Sequence, residues 1–172
     1  MDIDSQETLL TIAEVAIAIA GFSGLATIVA MSTSDNQKKI ETYRFQGMLI
    51  NSLLVVFFAF VPILIASFGV GDLDMWRLSS CVFVALIGSR FAIVTLNTMR
   101  FWKHGAKKSR AFYPINLLMC ITVAVPTVNI VYSLPKLANG LYLFGLLGLL
   151  AISGSLFLVV FFAWIESTED EK

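Results

Sequence analysis

The chain has 172 residues, of which 58% are hydrophobic and 14% are charged, and its mean hydropathy is +0.83. Soluble domains are about half apolar and about a quarter charged, so this composition excludes an ordinary soluble domain and predicts an integral membrane protein. The 12 basic and 12 acidic residues cancel, and this balance gives no indication of a nucleic acid partner or an acidic substrate.

Five apolar runs are long enough to cross a bilayer, whose hydrocarbon core of about 30 Å requires about 20 helical residues. Backbone polar groups in hydrocarbon must be paired within the protein, and these runs lack the alternation of strands, so we predict helices. The fold class is therefore an all-α polytopic bundle that forms a single membrane domain over residues 1–172. The predicted spans are 9–31, 47–70, 78–99, 113–134 and 141–165.

The first span has a face of small residues, which includes Ala16, Ala20 and Gly24. Small residues allow close approach of helix backbones in lipid, so we expect this face to pack against another helix, within the subunit or between subunits. Glu14 raises the cost of inserting this span. The alternative is therefore four spans preceded by an N-terminal helix that only dips into the membrane.

The second and fourth spans each contain a proline, Pro62 and Pro126, and they suggest a weak tandem repeat of two helices. A shift of 66 residues aligns "ALIGSRFAIV" at 85–94 with "AISGSLFLVV" at 151–160, with five identities in ten positions. The shared composition of membrane segments is the alternative explanation.

The third span contains Arg90 near its middle. At 100° per residue, Arg90 and Asn97 share one side, and the small residues Ala85, Gly88 and Ala92 share the opposite side as a predicted packing face. A charge inside the bilayer costs about 3 kcal/mol or more, so Arg90 is expected to face protein or water.

The only acidic residue inside any predicted span is Glu14. Three interpretations remain open for Glu14 and Arg90: a direct ion pair, a link through water or asparagine, and separate environments. A purely structural pair is also consistent with the sequence, because removing either partner leaves a costly buried charge.

The fourth span adds intramembrane polar residues, and the fifth adds a further face of small residues. Thr122, Asn129 and Ser133 share one side of the fourth span, and Gly145 and Gly148 form a small packing face on the fifth. We therefore predict that Glu14 and Arg90, together with Asn97, Thr122, Asn129 and Ser133, form an intramembrane polar network that lines a water-filled path.

The loops predict the orientation in the membrane. Three basic residues lie between the first two spans and five between the third and fourth, eight of the 12 in all, so these loops should be cytoplasmic. We expect the N-terminus outside and the C-terminus inside a plasma membrane of bacterial inner membrane type. Anionic headgroups or a cytoplasmic protein partner would bind the loop side chains of Lys103, His104, Lys107, Lys108 and Arg110.

Enzyme chemistry has little support in the sequence. His104 is the sole histidine, and there is no metal-ligand cluster, no glycine-rich phosphate loop and no nucleophile with a nearby base. We expect no enzyme activity, no cofactor and no metal.

Two functions follow as expectations. The first is a small homo-oligomeric membrane channel or transport pore with an arginine-containing polar helix face. The alternative is a non-enzymatic anchor or effector subunit, which works with a cytoplasmic partner through the basic loops and the acidic tail "ESTEDEK".

Overall fold

The computed structural model describes residues 3–30, 35–103, 112–132 and 137–169, and it describes side-chain surroundings for 3–24, 46–96, 115–132 and 137–158. Five helices account for nearly all of the described residues, and each is long and apolar enough to span a membrane. The predicted all-α bundle of five membrane helices is confirmed, and the chain is a multi-pass membrane protein. The helices are α1 Ile3–Ala30, α2 Asp35–Ser67, α3 Asp72–Lys103, α4 Phe112–Tyr132 and α5 Ala138–Glu169.

Most helices extend past the predicted spans. The second span was expected to begin at residue 47, for example, but α2 begins at Asp35. Hydropathy detects the part of a helix that suits hydrocarbon, whereas backbone hydrogen bonding continues into the polar residues beyond it. Pro62 and Pro126 both lie inside helices and end neither of them.

The central helix is α5, which contacts the four others. Among the described residues, α1 contacts only α2 and α5, and α4 contacts only α3 and α5. The bundle therefore has α1 on one side and the pair of α3 and α4 on the opposite side.

Interhelical contacts fix the relative levels of the helices along the bundle. Asn129 Nδ2 lies 3.4 Å from Trp76 O and 3.2 Å from Ala138 O, and the next residue of α5, Asn139, donates to Ser5 Oγ at 3.4 Å. These groups lie at one end of the bundle, together with the turn at Gly69 that joins α2 to α3. We call it the Gly69 end, and the opposite end, where α3 terminates, the Lys103 end.

An aromatic cluster forms the core near the Gly69 end. The ring of Phe83 packs against those of Phe58 and Tyr142, with centroids 4.9 and 5.9 Å away, and Trp76 contacts Tyr142 at 5.8 Å. Their positions near span ends predict Tyr142 and Trp76 at the lipid headgroups, but both side chains are buried. Aromatic residues near a span end also fill the core, and the sequence does not distinguish these two positions.

Helices α4 and α5 approach each other most closely at two glycines. A methyl group on Gly145 would lie 2.6 Å from Pro126 Cγ, and one on Gly148 would lie 3.0 Å from both Cβ and Cγ2 of Thr122. Only a residue without a side chain fits at either position, so this small face packs inside the subunit.

The small-residue face of α3 behaves differently. Ala85 and Ala92 are exposed, and Gly88 makes only ordinary contact with Val123 of α4. The side of α3 that packs in the bundle instead carries the buried side chains of Phe83 and Ile87. The sequence-based assignment of the packing face on α3 therefore does not hold within one subunit.

Candidate functional site

A cavity of about 350 Å³ opens between α2, α3, α4 and α5 in the half of the bundle nearer the Lys103 end. Arg90 of α3 and Asn51 of α2 contribute its main polar groups, and Gln46 lies five residues before Asn51 in α2, nearer the Lys103 end. The remaining lining residues are apolar or glycine: Gly47, Ile50, Val94, Ile115, Met119, Ile152 and Leu156.

Arg90 faces this cavity because of its position on α3. It lies two turns beyond Phe83 and one turn beyond Ile87, on the side of the helix that packs into the bundle. Its Nη1 atom is buried. At 1.5 Å per residue, Arg90 is about 20 Å further from the Gly69 end than Arg77, well inside the membrane-spanning part of α3.

The polar groups of the cavity come from α2 and α3, whereas the described lining residues of α4 and α5 are all apolar. Arg90 and Asn51 lie on the α2–α3 side, and Asn51 is only 5% exposed, whereas Met119 and Ile152 lie on the α4–α5 side. Its volume is far above the roughly 15 Å³ that one water molecule requires, so this space can hold several waters or a small solute beside the guanidinium.

Two buried serines are sequence neighbours of residues that line the cavity. Ser52 and Ser153, next to the lining residues Asn51 and Ile152, are fully buried, and their Oγ atoms have no hydrogen-bond partner among the described residues. A buried hydroxyl without a partner costs free energy, and water or a polar solute between the helices would satisfy it.

The structure does not bring Glu14 and Arg90 together. Glu14 is exposed, on the side of α1 opposite the fully buried Ala16, whereas Arg90 points into the bundle. Their helices do not contact each other among the described residues. The two charged residues therefore lie in separate environments within one subunit.

Asn129 and Thr122 lie outside the cavity. Asn129 is buried near the Gly69 end, where its Nδ2 lies 3.0 Å from Ser80 Oγ and also reaches backbone oxygens of α3 and α5. Thr122 donates to Leu118 O at 2.8 Å and packs against Gly148. Both residues hold helices together at these positions.

Several predicted site residues lie outside the described parts of the chain. The side chains of Asn97 and Lys103 are not among those described, although both residues belong to α3. The remaining ones fall outside the described residues altogether: His104, Lys107, Lys108, Arg110 and Ser133.

Sequence reasoning missed Gln46 and Asn51 as companions of Arg90. Amide side chains at the start of an otherwise apolar run are a signal, but their direction around α2 depends on which helices flank it. No protein-family model, no curated protein and no solved structure matches this chain, so the functional argument depends on the geometry of the cavity.

Proposed function

We propose that this chain is a subunit of a small homo-oligomeric membrane channel or transport pore, and that its transported species passes beside Arg90. The observation that supports this function is the cavity itself, in which a guanidinium inside a membrane span faces about 350 Å³ of open space. None of the described residues that line this cavity is acidic.

The charge of the cavity favours an anionic species. Among the described residues that line the cavity, Arg90 is the only charged one, and a fixed positive charge inside a low-dielectric span attracts anions and repels cations. The amide of Asn51 can donate hydrogen bonds to the same anion. The apolar wall formed by Met119 and Ile152 suits a small or weakly hydrated anion.

For the membrane and orientation, we propose a bacterial-type plasma membrane with the N-terminus outside. The α1–α2 and α3–α4 connections lie at the same end of the bundle, and the segments around them carry eight of the 12 basic residues. Such an excess of basic residues is typical of the cytoplasmic side.

The test is anion flux through purified protein in liposomes. We expect the wild-type protein to pass chloride or a small carboxylate above the rate of empty liposomes. Arg90→Gln should reduce the anion-to-cation permeability ratio by about tenfold or more, whereas Arg90→Lys should retain most of it because the charge remains. Ser89→Ala is the matched control, since it alters the neighbouring exposed residue outside the cavity lining.

The anchor or effector function is the outcome if flux stays at background. In that case a cytoplasmic protein should co-purify with the chain, and reversing the charges of Lys103, Lys107 and Lys108 should abolish its binding.

A further inference from the structure

One stripe on the outward face of α1 differs from the exposed apolar side chains beside it, such as Ile17 and Phe22, and from the exposed surfaces of α2 and α5. Five exposed residues follow one another along it at intervals of four and three, so they form one stripe, which we call the α1 stripe. Its members are Glu7, Thr11, Glu14, Ala18 and Gly21. Exposed positions on α2 and α5 are instead bulky and apolar, as at Leu53, Phe57, Leu64, Phe144 and Leu147.

Glu14 makes the α1 stripe unsuited to lipid. It lies within the membrane-spanning stretch Ile3–Gly24, five residues past the predicted start of the first span, and points away from the bundle. A carboxyl group at this depth is costly when it faces acyl chains, and such groups in membrane proteins face protein or water. Since Glu14 is exposed and no described residue of another helix covers it, the protein or water that surrounds it must come from outside the subunit.

A second uncovered surface lies on the opposite side of the bundle. It is a strip of small side chains, which we call the α3–α4 groove, formed by Cys81, Ala85 and Ala92 of α3 and by Cys120 and Ala124 of α4. Ala85, Ala92, Cys120 and Ala124 are exposed, and small residues at such positions favour close packing of another helix. Helix α1 of the same subunit cannot fill this groove, because it contacts neither α3 nor α4.

The two surfaces carry one pair of opposite charges at the Gly69 end, Glu7 and Arg77, although Asp74 of α3 is also exposed one turn before Arg77. The contacts of Asn129 and Asn139 place Ser5 of α1 at about the level of Arg77 of α3. The exposed Arg77 is therefore level with the first turns of α1, which carry the exposed acidic residues Asp4 and Glu7.

The two surfaces also match in depth. Counted from the level of Ser5 and Arg77, Glu14 lies about 1.5 Å from the level of Ala85. The position of Gly88 beside Val123 puts Cys120 of α4 about 1.5 Å from the level of Ala18. Helical side chains lean toward the N-terminus, so Glu14 leans toward the level of Thr127, whose hydroxyl lies on α4 about half a turn nearer the Gly69 end.

We propose that the α1 stripe of one copy of this chain docks into the α3–α4 groove of the next copy, with Glu7 beside Arg77. Because the two surfaces are different and lie on opposite sides of the subunit, the contact is head-to-tail, and each copy can bind one neighbour through each surface. This inference rests on the homo-oligomeric part of the proposed function and is independent of transport.

Disulfide cross-linking in native membranes tests the contact. Thr11→Cys should cross-link to the native Cys81 of a neighbouring copy, and Ala18→Cys should cross-link to the native Cys120, because the pairs lie at matching depths. Each subunit carries the introduced cysteine on its α1 stripe and the native cysteine in its α3–α4 groove, so it can be cross-linked to a neighbour at each surface. Oxidation should therefore give a ladder of dimers, trimers and larger species in non-reducing electrophoresis. The wild-type chain should give no ladder, since both native cysteines belong to the same surface.

Two controls show whether the pairing is the proposed one. The ladder of Ala18→Cys should disappear when Cys120→Ala is added, and Leu53→Cys on the lipid-facing surface of α2 should form no ladder. A dimer that persists without Cys81 and Cys120 would show that α1 packs against α1, and it would overturn the proposal. Absence of cross-linking in Thr11→Cys and Ala18→Cys would also overturn it.

A charge exchange tests the pairing of Glu7 with Arg77. Glu7→Lys and Arg77→Glu should each lower the yield of the Ala18→Cys ladder severalfold, and the double variant should restore it. If the double variant cross-links no better than the singles, the pairing of Glu7 with Arg77 is wrong. Flux measured on the same variants separates the two proposals. A ladder with background flux would overturn only the transport function, and flux without a ladder would overturn only this contact.

Discussion

At the scale of single residues, the proline in α2 determines the role of a tyrosine in α5. Pro62 has no backbone N–H, so the carbonyl of Phe58, four residues earlier, lacks its usual helical donor. The Tyr142 hydroxyl donates to that oxygen at 2.6 Å, and Tyr142 is fully buried. A side chain of one helix thus replaces a missing backbone hydrogen bond in another.

This arrangement predicts that the cost of Tyr142→Phe depends on Pro62. Removal of the hydroxyl should lower the free energy of unfolding by about 1 kcal/mol, since it leaves the Phe58 carbonyl unsatisfied inside the bundle. In a Pro62→Ala background the restored N–H can bond that carbonyl, so the same substitution should cost much less. Unfolding of the two single variants and the double variant by SDS in mixed micelles gives the coupling energy.

Tyr132→Phe is the matched control for the tyrosine prediction. Tyr132 is exposed at the end of α4, and its hydroxyl should contribute almost nothing to stability. Equal losses for Tyr142→Phe with and without Pro62 would mean that the hydroxyl stabilises the protein by some other route.

The tyrosine also shows where sequence reasoning stops at this scale. A proline in a membrane run predicts a free carbonyl four residues earlier, and this much can be derived from Pro62 alone. Which donor reaches the carbonyl depends on the packing of α5 against α2, and the periodicity of neither helix specifies it. For the same reason Arg90 is predicted to avoid lipid, whereas its neighbours Asn51 and Gln46 are not predicted.

At the scale of helices, the contact between α4 and α5 depends on two glycines. Gly145 and Gly148 are buried against Pro126 and Thr122, and neither position has room for a methyl group. Lipid provides no hydrophobic drive for association, so close packing of this kind is a main source of stability between the two helices.

We expect Gly148→Ala to destabilise the bundle by about 1–3 kcal/mol, because the added methyl group overlaps the Thr122 side chain and forces the helices apart. Gly154→Ala on the same helix is the control, since a methyl group there meets nothing within 4 Å. Thermal unfolding of the detergent-solubilised protein measures both variants. A similar loss for the two would show that the change reflects α5 itself and not its contact with α4.

Small-residue patterns on different helices have different consequences, and the sequence does not separate them. The pattern of Gly145 and Gly148 packs inside the subunit, whereas Ala85 and Ala92 remain exposed. The pattern indicates that a helix can approach closely, but it does not indicate which helix does so. This information comes from the order of helices in the bundle, in which α5 is central and the outer side of α3 is uncovered.

At the scale of the whole molecule, the two ends of the bundle differ in charge. Successive helices alternate in direction, so the α2–α3 turn lies at the Gly69 end, and the α3–α4 connection lies at the Lys103 end with the basic segments. The positive-inside rule is the basis of the proposed orientation, in which the Lys103 end faces the cytoplasm. In this proposal, five spans put the two termini on opposite sides of the membrane.

This orientation predicts which positions a membrane-impermeant maleimide can label in intact cells. In a background without Cys81 and Cys120, cysteines at Gly71 and Asp4 should be labelled without permeabilisation, because both lie at the Gly69 end. A cysteine at Lys107, between α3 and α4, should react only after the membrane is opened. Labelling of Asp4 on the same side as Lys107 would mean that α1 does not cross the bilayer. The exposed Glu14 would then lie near the headgroups, and the reason for covering the α1 stripe with a second copy would disappear.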